Sequence, residues 1–329
     1  MGEILVYTEA QVRAALDMPS LIDAVERAFV AYSTGNAELP SVIHLDVPES
    51  RGEVHVKAGH VHGASHYAVK VASGFSAPTP PRVDGLVLVF DARDGSPSAL
   101  LLDRGLITDL RTGAAGGVAA RYLAPERVGT VAVIGTGAQA RCQLDALGFV
   151  RPGFAHVRIW GRDRDHATRC VDDLLARPWL PEGCRYSVSR TVEEAVEGAD
   201  VVVTCTASRT PLVRGDRLKP GAHVTAVGSD APDKRELDPE VLGRADVLVV
   251  DSRTQSAVIG ELHHALDAGV VAAAAEVTEL GEVAAGSRPG RTSSDQLTVC
   301  DLTGVGVQDV AAAALVLERA GEPAARLST

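Results

Sequence analysis

Apolar residues recur at helical spacing over 20–35 (Leu21, Ile22, Ala24, Val25, Ala28, Phe29), which predicts an amphipathic helix with Ser20 as its N-cap and Gly35 as its stop. From about 42 to 102 the pattern changes to short alternating runs rich in β-branched residues: EVHVKAG, YAVKVASGF, GLVLVFDARDG and PSALLLD. Such runs, broken by Pro- and Gly-rich stretches such as SAPTPPRVDG, predict antiparallel strands with a hairpin turn over 92–96. ITDLRTGAAGGVAARYLAPE is Ala-rich and predicts a helix ending before Pro125, its small residues pointing to close packing.

A regular alternation follows. Strand TVAVIG leads to a helix over about 138–148, then strand HVRIWG, helix HATRCVDDLLARP, helix TVEEAVEGA, and strands DVVVTCT, AHVTAVG and DVLVVD. Nearly continuous apolar strands separated by helices predict a parallel sheet covered on both faces, a doubly wound α/β domain. QLTVCDLTGVGVQDVAAAALVLERAG reads as strand, turn and a long apolar helix. The predicted organisation is a mixed α+β domain over 1–124, a doubly wound domain over 125–304, and a C-terminal helix over 305–329 that returns to the first domain.

Composition narrows the function classes. The 329 residues hold 32 Lys+Arg against 43 Asp+Glu, a net charge of −11, with 4% aromatic residues. That balance argues against a protein that grips nucleic acid or an anionic membrane, since phosphate binding draws on clustered cations and single-strand binding on aromatic platforms. The five cysteines are widely spaced without a CxxC pair, which suggests neither a disulfide framework nor a zinc site. No leader-like start and no long apolar run is evident, so a cytoplasmic protein is expected.

The clearest chemical signal is Gly135-Thr136-Gly137-Ala138-Gln139-Ala140, directly after an apolar strand and opening a helix. The first Gly permits a tight turn, the second lets main chain approach a pyrophosphate, and Ala140 supplies the small residue that close helix packing needs. Free N–H groups at the helix start then face the anion. The next strand ends in Gly161-Arg162, where dinucleotide domains usually carry a ribose-binding carboxylate. A guanidinium there favours a 2′-phosphate, so NADP(H) is the expected cofactor, with NAD(H) possible if Asp163 takes the ribose role.

TDLRTGAAGGVAARYLAPERVGTVAVIGTGAQARCQ, AVGSDAPDKRELDPEVLGRADVLVVDS and VCDLTGVGVQDVAAAALV together resemble the ornithine cyclodeaminase/mu-crystallin family over nearly the whole chain. The resemblance implies a Rossmann NAD(P)-binding domain beside a mixed substrate and dimerisation domain, hence a homodimer. Family members include cyclodeaminases acting on ornithine or lysine, NAD(P)-dependent amino-acid dehydrogenases and imino-acid reductases, ectoine-utilisation proteins, and mu-crystallin, which binds NADPH and a thyroid hormone.

Carried over residue by residue, the family's substrate-handling lysine is Lys70, a cation between apolar neighbours on a strand, where burial would shift its pKa and suit it to proton transfer; an edge lysine facing solvent is the plain alternative. Its carboxylate-binding arginine is Arg111, and its acid/base is Asp230, past the carboxyl end of a strand. A surface helix arginine and a turn-forming aspartate are the plain alternatives for these two. Thr112 is expected on cofactor phosphate, Thr204, Thr206, Val227 and Gly228 along the nicotinamide, and Thr303 on substrate or cofactor.

Two departures matter. Where cyclodeaminases carry an early arginine, this chain has Ser41 and His44, and where they carry a glutamate it reads Val54-His55-Val56-Lys57-Ala58. Lys57 resembles the reductase-like and ectoine-utilisation branches, and a second cation beside Arg111 favours a small anionic amino-acid or imine substrate over ornithine's distal ammonium. The clustered His55, His60, His62 and His66 lack a carboxylate that would complete a metal site, and His60 and His62 are expected in a turn. The leading expectation is imine or 2-imino-acid reduction, ahead of cyclodeamination and of NADPH-dependent small-molecule binding.

Overall fold

The computed structural model describes residues 2–76, 82–177 and 183–328, and among them the chain divides into two compact units, Met1–Arg111 with Val305–Thr329, and Thr112–Gly304. Residues 77–81, within the Pro- and Gly-rich stretch SAPTPPRVDG, and the end of the predicted helix at Pro178 lie outside the described residues. Among the described residues no helix is long and apolar enough to cross a membrane.

The first unit begins with β1 (Glu3–Thr8), α1 (Glu9–Ala15) and α2 (Met18–Ser33). Helix α2 starts two residues before the predicted cap: Asp17, not Ser20, is the N-cap and accepts from the Ser20 N–H, because Pro19 occupies the first turn, where its missing N–H costs nothing. Leu21, Ile22, Val25, Ala28 and Phe29 form its buried stripe. There follow β2 (Ala37–Glu38), β3 (Ile43–Val47), β4 (Gly52–Val61), β5 (His66–Phe75), β6 (Arg82–Asp91), β7 (Pro97–Leu102) and α3 (Leu106–Leu123). The β6–β7 hairpin turns over 92–96 as predicted, with Gly95 at positive φ. Strand β4 runs through His60, which pairs with Glu38 of β2. His60 is thus a ladder residue, and the turn begins only at His62.

The second unit alternates β8 (Thr130–Ile134), α4 (Ala138–Val150), β9 (His156–Trp160), α5 (Arg164–Leu175), β10 (Arg185–Val188), α6 (Val192–Val196), β11 (Val201–Thr204) and β12 (His223–Ala226). It continues through α7 (Pro239–Gly243), β13 (Val247–Val250), α8 (Arg253–Ser256), α9 (Glu261–Asp267), β14 (Thr278–Glu279), α10 (Leu280–Ala284) and β15 (Thr298–Asp301). All eight strands pair in parallel, in the order β10-β9-β8-β11-β12-β15-β13-β14. This is the doubly wound Rossmann order, which reverses direction at the β8/β11 neighbours.

The chain then returns to the first unit as α11 (Gly306–Arg319) and β16 (Ala325–Ser328). The sheet of that unit runs β16-β1-β7-β6-β5-β4-β2, with β3 also on β4. Strands β1, β2, β10, β14 and β16 were not foreseen; β1, for one, pairs with β7 and β16, which lie far along the chain from it. Helix α11 lies over β4 and β5 beside α2. Gly306 allows this approach: a Cβ there would stand 2.2 Å from the Ala58 carbonyl oxygen.

The units divide at Arg111/Thr112, inside α3, earlier than the expected Ala124. The reason lies in the small residues of the helix. A Cβ on Gly113 would meet Cys142 at 2.8 Å, and one on Gly116 would run into Gln143, so this half of α3 packs directly on α4.

Candidate active site

Strand alternation places Ala68 and Lys70 of β5, Val87 and Val89 of β6, and Ala99 and Leu101 of β7 on the buried side of their strands. Lys70 is therefore a core residue, 2% exposed, and does not face solvent. Its Nζ donates to Asp309 Oδ1 at 2.9 Å, and the same oxygen lies 3.2 Å from Arg111 Nε. Arg111 also donates from Nη1 to the Gln308 side-chain oxygen. Lys57 is the direct cross-strand partner of Lys70 in the β4–β5 ladder, so both side chains leave the same face. Like charges opposite one another destabilise a sheet unless something anionic lies between or above them.

Burial drives the Lys70 pKa down to about 7; Arg111 and Lys57 push the same way, and Asp309 opposes them. For Asp309, burial raises the pKa, but the neighbouring Lys70 and Arg111 charges outweigh it and hold the carboxyl below the ordinary value. Asp309 and Gln308 were not anticipated. Their signal was a polar pair in the first turn of an otherwise apolar helix, GVQDVAAAALV, which only the placement of α11 turns into a partner for Lys70.

In the second unit a cleft of about 370 Å³ opens beyond the carboxyl ends of β8, β9 and β11, lined among others by Gly135, Thr136, Gly137, Arg162, His166 and Thr206. Gly135 has φ 135° and touches Cys205, where a Cβ would stand 2.6 Å from the Cys205 sulfur, so only glycine fits the turn. A Cβ on Gly137 would meet nothing within 4 Å, and its N-cap position leaves the first N–H groups of α4 without a side-chain cap. Arg141 Nη1 donates to the Thr136 and Gly137 carbonyls at 2.9 Å each, fixing the acceptor side of the loop and leaving its donor side for an anion. Open space at Gly137, uncapped N–H groups and a cationic Arg162 on one cleft fit a dinucleotide. Ala138 is exposed, Gln139 half-buried, and the Thr112 carbonyl accepts from Gln143 Nε2 at 2.8 Å. Asp163 spends Oδ1 on capping α5 through the Asp165 and His166 N–H groups.

The residues expected along the nicotinamide divide into two groups. Thr206 and Gly228 lie at strand ends, but the Thr206 N–H and hydroxyl and the Gly228 N–H all donate to the Glu236 carboxylate, so these donors are already engaged. Thr204 is fully buried and the Val227 N–H donates to the Thr204 carbonyl, which places both inside the sheet scaffold. Thr303 is likewise buried, its hydroxyl donating to Asp251 and accepting from Gln255. Asp230 is exposed past β12 and accepts from Lys234 Nζ at 2.8 Å.

Beneath these strand ends lies a carboxylate network that sequence reasoning missed. Burial raises Glu236 to about 7 and Asp301 to about 8, and burial together with its acidic neighbours raises Glu261 well above the ordinary value. Each accepts backbone N–H groups: Thr206 and Gly228 on Glu236, Glu236 and Leu237 on Glu261, and Leu262 on Asp301. Among the described residues no cluster of His, Cys, Asp or Glu could hold a metal ion.

The model of the ornithine cyclodeaminase/mu-crystallin family matches residues 3–323. The uncharacterized cyclodeaminase y4tK of Sinorhizobium fredii is 43% identical over 99% of this chain and 98% of its own length. Among solved structures, an archaeal alanine dehydrogenase dimer with bound NAD superposes with a TM-score of 0.90 at 33% identity, covering 99% of both chains. The Δ1-pyrroline-2-carboxylate reductase of Thermococcus litoralis, solved with NADH and L-proline, gives 0.89 at 29% identity, covering 96% of this chain and 97% of the other.

Proposed function

The chain belongs to the ornithine cyclodeaminase/mu-crystallin family, and from that premise we propose that it is an NAD(P)H-dependent oxidoreductase that reduces an imine or 2-imino acid to an amino acid, or runs the reverse dehydrogenation. The observation that carries this reading is the buried cluster in which Lys70 and Arg111 share the Asp309 carboxylate and Lys57 stands opposite Lys70. Three cations around one carboxylate suit an anionic substrate. Arg111, with Lys57, holds the substrate carboxylate, since a guanidinium matches its two oxygens. Lys70, whose pKa burial lowers to about 7, gives a proton to the imine nitrogen on reduction and takes one from the amine on oxidation. Asp230 is assigned the second proton-transfer role; Thr303, expected on substrate or cofactor, is buried and is assigned instead to holding Asp251 and Gln255.

When bound, the dinucleotide supplies the hydride that reaches the imine carbon. Gly135, Gly137, Ala138, Gln139 and Thr112 are assigned to its phosphates. Thr206 and Gly228 are assigned to the nicotinamide side through shape, not donors, and the buried Thr204 and Val227 to supporting them from within the sheet. The finer reading is NADP(H) over NAD(H): exposed Arg162 faces the cleft while the adjacent Asp163 caps α5. A homodimer is part of the reading, with Ile43 (62% exposed) and Leu45 (57%) of β3 as its apolar surface.

The test is NADPH oxidation by the purified protein with cyclic imines, and with 2-oxo acids plus ammonia; no oxidation with any of them would sink the reading. The 43% identity to a protein named a cyclodeaminase favours one second reading, ammonia release from ornithine or lysine. It predicts a cyclic product with no net change in cofactor absorbance.

A further inference from the structure

We propose that Asp309 is a positioning residue of this reaction: from the first turn of α11 it fixes the Lys70 ammonium and the Arg111 guanidinium at one spacing and keeps Lys70 able to donate its proton. The inference rests on the reductase reading above and deepens it.

The geometry is specific. Asp309 is 1% exposed and one of its oxygens serves both cations, at 2.9 Å from Lys70 Nζ and 3.2 Å from Arg111 Nε. The neighbouring Gln308, fully buried, accepts from Nη1 of the same guanidinium. A long lysine on a strand has several rotamers, and an ion pair buried against a helix selects one of them. The helix reaches that depth because two glycines face each other: a Cβ on Gly59 would stand 3.1 Å from the Gly306 backbone, and one on Gly306 would overlap the Ala58 carbonyl. The close packing of α11 on β4 and the polar pair in its first turn therefore serve one end.

Four charged groups act on Lys70 from the elements around it: Lys57 on β4, Arg111 on α3, Asp309 on α11 and Asp103 just before α3. Asp103 Oδ2 is engaged at 2.8 Å by the Ile107 N–H. Asp309 is then the carboxylate in direct contact with the ammonium, and its loss leaves two cations beside a buried lysine. The proton would leave Lys70 at lower pH, and reduction would lose its acid.

The experiment compares wild type, Asp309→Asn and Asp309→Glu in kcat and KM across pH, with melting temperature and NADPH affinity as controls. In Asp309→Asn, kcat should fall about 10- to 100-fold and the high-pH limb of kcat/KM should move to lower pH, with NADPH affinity unchanged. Asp309→Glu, which keeps the charge, should hold the limb near its wild-type position and recover part of kcat. An unmoved limb in Asp309→Asn, or a rise in KM with kcat intact, would overturn the proposal. If Asp309→Asn does not fold, an Asp309→Glu limb displaced from wild type overturns it and an unmoved one supports it. If wild type turns over no imine, the functional reading has failed instead. Lys70 titration, followed by NMR of lysine-labelled holoenzyme, then decides: a lower midpoint in Asp309→Asn supports the role, and an unchanged one refutes it.

Discussion

In the second unit the phosphate loop of the cleft is built from main chain: a positive-φ glycine, N–H groups without a side-chain cap and carbonyls tied back by Arg141, all within a few residues of one strand end. In the first unit the charge cluster is made only of side chains, brought together from β4, β5, α3 and α11 over a sequence span of about 250 residues. Backbone recognition is tolerant, because many sequences place an N–H group correctly. A buried cluster of charges is not, because each member carries a desolvation cost that only its partners offset.

The largest expected contrast follows from Lys70→Met. Removing a buried proton donor should lower kcat by about 100- to 10,000-fold and leave NADPH affinity intact; equal loss of cofactor affinity in a fluorescence titration would erase the distinction between the two regions. Arg162→Asp should do the reverse, weakening NADPH by about 10- to 100-fold, as expected for charge-assisted hydrogen bonds of about 1.5–3 kcal/mol, while NADH is spared. Unchanged NADPH affinity would remove the 2′-phosphate assignment.

Gly306→Ala probes the close approach itself. Overpacking against the Ala58 carbonyl should cost about 1–3 kcal/mol, measured by denaturant unfolding, and should lower kcat by displacing Gln308 and Asp309. Stability and kcat both at wild-type levels would show that α11 can shift without consequence.

The smallest effect is one of pH. Lys70 holds its proton below about 7, so kcat/KM for imine reduction should fall as pH rises through that value. Amine oxidation, which needs the neutral lysine, should rise through the same midpoint. The unfolded lysine keeps its ordinary pKa near 10.5, so between these values the unfolded chain binds more protons and this group makes stability increase with pH. Limbs of the same sign in both directions would exclude Lys70 as the shared proton carrier.

Much of this was legible in the chain. Parallel strands, Gly135 and Gly137 at a strand-helix junction, the 92–96 hairpin and the apolar C-terminal helix are local patterns, and the structure carries each of them. The nicotinamide-side threonines were less legible. Their position at strand ends was visible, but not that Glu236, 30 residues after Thr206 and 8 after Gly228, consumes the donors of both. Strand β1 has the same cause, since its hydrogen bonds go to partners some 90 and 320 residues away.

By itself the sequence determined the alternation of elements, the phosphate loop and the presence of a lysine among apolar neighbours, because periodicity, backbone freedom and propensity act over a few residues. Only the tertiary structure decided that Lys70 is buried, that Asp309 is its counter-ion, and that its pKa lies near neutrality. Burial and Coulomb energy depend on distance through space, and Lys70 and Asp309 are 239 residues apart in the chain and 2.9 Å apart in the fold.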